Sequence, residues 1–498
     1  MLKSVLFILS LMVLGSAIAA EQELTHGDLL ASVSADGAME HLIAFQKIAD
    51  ENNGNRSAGT RGHELSANYV AQKLMAAGYE VKLHAFNFEK FSKIAPGMME
   101  LRTPTQIKYE EGKQFGVMTY SPSGEITAAV TAVDVMLGPD NKSTSGCEAQ
   151  DFANFPRGNI ALIQRGTCPF GQKAKNAMAA GASGAIIFNQ GDQESRKELL
   201  IGTLSADRVT IPVVATTYDV GASLVQAQNP TVYLQTSTKI EQLQSYNVIA
   251  DSKTGNPNNI VAIGAHLDGV DEGPGMNDNG SGSAGILEVA LKMRNLMPNN
   301  KLRFAWWSAE ELGLVGSTKY VESLSAEEKA KIALYLNFDM IASPNYILGV
   351  YDGDGSKTPP SGPAGSGAIE KLFHMFFSVY GPGSVETPMN GRSDYAAFAT
   401  AGIPVGGTFT GAEGTKTEEE ARLFGGTAGE AYDKCYHKAC DNMTNLNTQA
   451  LEINTDAIAF MALTYGHSTS SVPRSSFSSG FTPSKSLHID GVGEAFLE

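Results

Sequence analysis

In the second half of the chain, short apolar runs alternate with helical patterns. No other feature constrains the fold as tightly. Residues 259–265, 302–307 and 334–338 are runs of strand length, and 286–296 has the spacing of an amphipathic helix. Alternation of this kind argues for an α/β sheet with parallel pairs. The runs end in polar residues: the first in His266-Leu267-Asp268, the second near Glu310-Glu311, the third in Asp339. Between the first run and its helix lies a glycine-rich stretch, 273–282, that holds Asn277-Asp278-Asn279. Ligands of α/β sheets bind beyond the carboxyl ends of the strands, so these acids and the histidine converge on one crevice.

Carboxylates gathered in one buried place must take up protons or find a cation. Imidazole and carboxylate oxygens together suit zinc. More than four candidate ligands suggest two metals sharing a bridge, at roughly 3.5–4 Å separation. Taken singly, each signal is ambiguous. A lone His-x-Asp is usually a solvated turn, and a Glu-Glu pair often opens a helix, where negative charge suits the dipole. The glycine-rich stretch is not a phosphate loop, because no Gly-Lys-Ser/Thr follows it. Their placement after successive strands is what joins them.

The rest of the chain bounds the setting. Of 498 residues, 42% are hydrophobic and 18% charged, which excludes wholesale disorder. A net charge of -16 argues against a nucleic-acid partner, which would need clustered Lys and Arg. Lys3, the apolar run 5–14 and Ala17-Ile18-Ala19 read as a signal peptide over 1–19, so the mature protein is expected to be secreted, into periplasm or medium. The run is too short for a membrane span. Four cysteines fit an oxidising compartment, and local spacing favours pairing Cys147 with Cys168 and Cys435 with Cys440. Helical periodicity covers 39–81, broken by a turn-rich loop at 55–62, and 81–86 alternates like an edge strand. From about 120 to 237, β-branched runs (126–135, 160–164, 185–188, 211–215) and one helical patch (174–182) read as an inserted β-rich module. Beyond 466 the chain is a Ser-rich extension to 498, expected to be trimmed without unfolding the rest.

His266-Leu267-Asp268, the 277–282 stretch, Ser308-Ala309-Glu310-Glu311-Leu312-Gly313 and Asn337-Phe338-Asp339-Met340 resemble the motifs of the M28 family of zinc aminopeptidases. Asn390-Gly391-Arg392-Ser393-Asp394 and the 435–440 stretch resemble its secreted, leucine-preferring branch. The module resembles a protease-associated (PA) domain through 158–166, Cys168-Pro169-Phe170 and 179–182. Gly269 departs from relatives, which often carry serine there.

The resemblance implies a phosphorylase/hydrolase-like sheet flanked by helices, formed by 20–119 and 238–466, with the PA domain inserted at 120–237. It implies two zinc ions: His266, Asp278 and Asp339 would hold one, and Asp278, Glu311 and His437 the other. Asp268 would orient His266, and Glu310 would be the general base. Arg392 would steady the substrate carbonyl, and Tyr436 would line the substrate site. The expected substrates are peptides with a free amino terminus, cut by a monomer. Two rivals are a transferrin-receptor-like ectodomain without activity, which would lack ligands this chain keeps, and a related metallocarboxypeptidase, which would need a cationic set to receive a terminal carboxylate. The remaining histidines, His41 and His63 among them, are expected to be surface or satisfied structural residues, and Trp306 and Trp307 to be core.

Overall fold

The computed structural model describes residues 26–204 and 208–473. The expected signal peptide and most of the Ser-rich extension lie outside them. Strands Asn256–His266, Asn300–Trp307, Ile332–Phe338 and Val405–Phe409 form the parallel centre of the sheet. Gly349–Tyr351 pairs antiparallel to Val405–Phe409 and Thr231–Asp251 antiparallel to Asn300–Trp307, so the sheet is mixed. Buried on both faces, the central strands read as continuous apolar runs. Trp306 and Trp307 are fully buried in it.

Helices cover the sheet. Ala35–Asp50 is N-capped by Ser34 and Arg61–Ala77 by Thr60. With Gly282–Lys292 and Thr448–His467 they bury Leu42, Phe45, Leu74, Ile286, Leu287, Ile458 and Met461 against Ile263, Phe304 and Leu336. The helix expected over 286–296 starts earlier, at Gly282, because the glycine-rich stretch runs straight into it.

The strand expected at 81–86 is far longer. It spans Glu80–Thr103 and pairs antiparallel along its length with Thr231–Asp251. The second of these strands serves both parts of the molecule: 248–251 join the ladder of Asn300–Trp307, and 231–236 join Gly124–Val133. From there Ile160–Gln164, Gly184–Phe188 and Val213–Thr216 continue as parallel neighbours, with helix Phe170–Ala179 packed on them.

Candidate metal centre and active site

The strand ends deliver their side chains to one cleft, lined by His266, Asp278, Glu310, Glu311, Asp339, Arg392, Tyr436 and His437. His266, the last residue of its strand, is buried, and its Nε2 lies 3.2 Å from Asp339 Oδ1 and 3.3 Å from Asp278 Oδ1. Its Nδ1 donates to the backbone carbonyl of Asp268 at 3.0 Å, which leaves Nε2 for the cleft. The Asp268 carboxylate is 3.9 Å from that ring and accepts instead from the Glu310 backbone N–H at 3.2 Å. Asp268 thus touches the histidine through its carbonyl and the Glu310 turn through its side chain.

Asp278 is aimed by its loop. The backbone N–H groups of Asn277 and Asp278 donate to the two carboxylate oxygens of Asp441 at 2.9 and 3.0 Å. Asn279 Oδ1 accepts from Gly282 and Met340, and its Nδ2 donates to the Phe338 carbonyl. Gly282 has to be glycine, because a Cβ there would sit 2.2 Å from the Phe338 carbonyl oxygen.

Ala309, Met340 and His437 all adopt left-handed backbone, with φ of 58°, 49° and 55°. Such conformations cost non-glycine residues on the order of 1–3 kcal/mol and collect at functional sites. Here each sits at or beside a cleft residue. The turn at Ala309 sends Glu310 and Glu311 into the cleft together. His437 Nε2 reaches Asp278 Oδ2 at 2.9 Å and Glu311 Oε2 at 3.1 Å. Its loop is closed by the Cys435–Cys440 disulfide, and a second disulfide joins Cys147 to Cys168. The Tyr436 ring stacks on that of His437, with centroids 3.8 Å apart. Arg392 also lines the cleft, with Nη1 on Glu413 at 2.6 Å and Nη2 3.4 Å from the Tyr436 hydroxyl.

Two ligand sets therefore form, His266–Asp278–Asp339 and Asp278–Glu311–His437, and within each the candidate atoms lie within 4.8 Å of one another. The donor chemistry fits zinc. Their electrostatics also call for cations. Burial, and then the Asp278 charge, raise the Glu311 pKa to about 7. Burial and the neighbouring Glu311 and Asp339 hold Glu310 well above the ordinary carboxylate range. Burial would lower the His437 pKa, but Glu311 and Asp278 override it and push the value up to about 11. Among the described residues Glu311 Oε1 is buried without a hydrogen-bond partner. These are the signs of a site whose missing charge is positive.

Sequence reasoning missed the supports of these ligands. Ser393 Oγ donates to Asp339 Oδ2 at 2.6 Å and accepts from Asn337 at 2.8 Å. Asn337 in turn accepts from Tyr335, and Tyr335 from Trp307, so a buried polar chain ends on Asp339. Ser393 lies inside a motif already singled out, and Asp441 directly follows Cys440. Only the fold shows what either one binds.

The model of Peptidase family M28 matches residues 247–462, and that of the PA domain matches 126–224. An aminopeptidase of Pseudomonas aeruginosa is 51% identical over 430 residues, 86% of this chain and 80% of that protein. A protein of Aspergillus fumigatus described as probable leucine aminopeptidase 2 is 43% identical, over 84% of this chain and 81% of its own. Among solved structures, an aminopeptidase from Aneurinibacillus sp. strain AM-1 superposes with a TM-score of 0.69 at 26% identity, over 88% of this chain and 95% of that one. A zinc aminopeptidase from Bacillus subtilis gives 0.59 at 25%, over 89% and 95%.

Proposed function

The chain belongs to peptidase family M28 and is a metallo-aminopeptidase with an inserted PA domain; on that premise we propose that it holds two zinc ions and releases leucine and other apolar residues from the free amino end of peptides. His266, Asp278 and Asp339 would hold one ion, and Asp278, Glu311 and His437 the other. The observation that carries the count is Asp278, whose Oδ1 faces one imidazole at 3.3 Å and whose Oδ2 faces the other at 2.9 Å. Zinc in such a place lowers the pKa of bound water toward about 7 and polarises a carbonyl.

The chain's own residues supply the remaining steps. Glu310 accepts the proton of the attacking water and passes it to the departing amine, the two-way transfer a positioned carboxylate in the cleft can make. Arg392, anchored by Glu413, presents its guanidinium to the developing oxyanion. Asp268 fixes the Glu310 backbone. An acid-rich cleft receives an ammonium group, and Met340, Tyr351, Pro388, Phe409 and Ala412 give it an apolar wall for the side chain. We place the catalytic parts at 20–119 and 238–466 and the PA domain at 120–237. Export by the 1–19 segment and action as a monomer belong to the same reading. Among the described residues no helix is long and apolar enough to cross a membrane.

Two measurements test the proposal. Elemental analysis of active protein should give two zinc per chain, and a single ion would overturn the count. A leucyl substrate with a free amine should be cut and its N-acetyl counterpart should not. Equal cleavage of both would overturn the amino-terminal reading and leave the metal site standing.

A further inference from the structure

The turn-rich loop at 55–62 plays no part in the reading above, yet it reaches the centre of the site. Arg56 is fully buried. Its Nε donates to the Pro274 carbonyl at 3.0 Å, its Nη2 to the Gly275 carbonyl at 2.6 Å, and its Nη1 to the Leu267 carbonyl. Leu267 lies between His266 and Asp268, and Gly275 lies three residues before Asp278. One rigid guanidinium fork thus spans both ends of the segment that carries two ligands. The fork is matched to that task by its planar set of donors, which an ammonium lacks.

The neighbours of Arg56 act on the same segment. Asn55 Nδ2 donates to the Asp271 carbonyl at 3.2 Å. Lys90, from strand Glu80–Thr103, places its Nζ 2.6 Å from Asp271 Oδ1 and 2.8 Å from Ser57 Oγ. Ala58 packs with Phe86, Phe88 and Ala309, the residue that turns Glu310 into the cleft. The guanidinium carbon also lies 5.1 Å from the Phe45 ring centroid. Among the described residues Arg56 forms no ion pair. Its charge is balanced at longer range by Asp268, Asp441, Asp278 and Glu311. Burying a cation that forms no direct ion pair is expensive, and a residue needed only to close a loop would not require one.

Resting on the assignment of His266 and Asp278 as zinc ligands, we infer that Arg56 is a positioning residue of the metal centre, the jaw of a clasp (Asn55, Arg56, Ser57 and Lys90) that sets the 267–275 segment and through it both ligands. It touches neither metal nor substrate. Its effect should therefore appear as looser zinc and slower turnover, with substrate affinity little changed.

The test uses the full chain with Arg56→Lys, Arg56→Met and Lys90→Met. Each variant is checked for folding by circular dichroism and thermal melting. Zinc affinity is then measured by competition with a chelator, and kcat and KM are measured on a free leucyl amide. Loss of an outer partner of a metal ligand typically costs 10–100-fold in affinity or activity. Folded Arg56→Met should lose zinc affinity and kcat by about that factor, with KM within about threefold, and Arg56→Lys should recover part of the zinc affinity. Lys90→Met, which loosens the clasp from its far side, should show a smaller loss in the same direction. The zinc measurement does not depend on the protein being an aminopeptidase, so failure of that reading is told apart. Wild-type zinc affinity in a folded Arg56 variant would overturn the inference. If neither Arg56 variant folds, Lys90→Met decides: unchanged zinc affinity there would overturn it as well.

Discussion

His63 lies on helix Arg61–Ala77, buried beside Arg56, and among the described residues neither of its ring nitrogens has a side-chain partner in hydrogen-bonding geometry. Burial, and then the Arg56 charge, lower its pKa from 6.5 to about 4, and a backbone group of Tyr246 offsets only part of this. In the unfolded chain the same ring titrates near 6.5. Between the two values the unfolded state binds the extra proton, so this group's contribution to stability falls as the pH drops from 6.5 to 4 and is flat above 6.5. At about 1.4 kcal/mol per unit, the loss between pH 7 and pH 5 is about 2 kcal/mol, and near 3 kcal/mol below pH 4. We predict that His63→Phe removes this term. Urea unfolding of both proteins, followed by far-ultraviolet circular dichroism from pH 7 to 4.5, gives the difference directly. Any constant packing penalty of the phenyl ring cancels from the slope, as do the carboxylates and His41, which both proteins share. The stability gap should shift toward the variant by about 2 kcal/mol on going from pH 7 to 5. Parallel curves, with a shift under about 0.5 kcal/mol, would refute the claim that this buried histidine refuses the proton.

Other outcomes follow from the site. Glu310→Gln should keep its zinc and lose on the order of 10²–10⁴-fold in kcat, whereas Glu311→Gln should lose zinc, as read by elemental analysis and steady-state kinetics. Replacing Cys435 and Cys440 together by serine frees the loop that presents His437, so zinc affinity should fall about 10-fold or more while the Cys147–Cys168 bond persists in non-reducing peptide maps. Gly282→Ala drives a methyl into the Phe338 carbonyl and should destabilise by roughly 1–3 kcal/mol in urea titrations, more than Gly116→Ala, where the nearest atom to an added methyl is 4.0 Å away.

What the sequence revealed tracks how local each signal is. His266, Glu310, Glu311 and Asp339 stand at the ends of apolar runs, so the rule about strand ends is enough to bring them together. Asp278 sits in a glycine-rich stretch whose composition already demands unusual backbone. Arg392, Tyr436 and His437 follow no strand pattern of their own, and only the family resemblance pointed to them. Ser393, Asp441 and Arg56 were beyond reach for a different reason. Each acts through a hydrogen bond to a residue far away in the chain, and a lone serine, aspartate or arginine carries no trace of its partner. The isolated histidines mislead in the opposite direction: His63 is buried, and its ring finds no side-chain hydrogen-bond partner among the described residues. The extent of strand Glu80–Thr103 was hidden because its middle, Phe91 to Gly97, lacks strict alternation. Its partner Thr231–Asp251 holds it extended through breaks in register at 93–95 and 95–98.

Those breaks have a mechanical consequence. The two crossings between the catalytic sheet and the PA domain are one twisted ribbon, hydrogen-bonded from 80–251 at one end to 103–231 at the other. A ribbon of this kind resists swivelling, since rotation would shear every rung, and it yields most readily where rungs are missing. The PA domain is therefore carried as a lever on a leaf spring, with its softest point around Pro96-Gly97 and its root only a few residues from the Lys90 contact with Asp271. Lys90 on that ribbon also holds Asp271, so the ribbon and the segment between His266 and Asp278 share a direct contact.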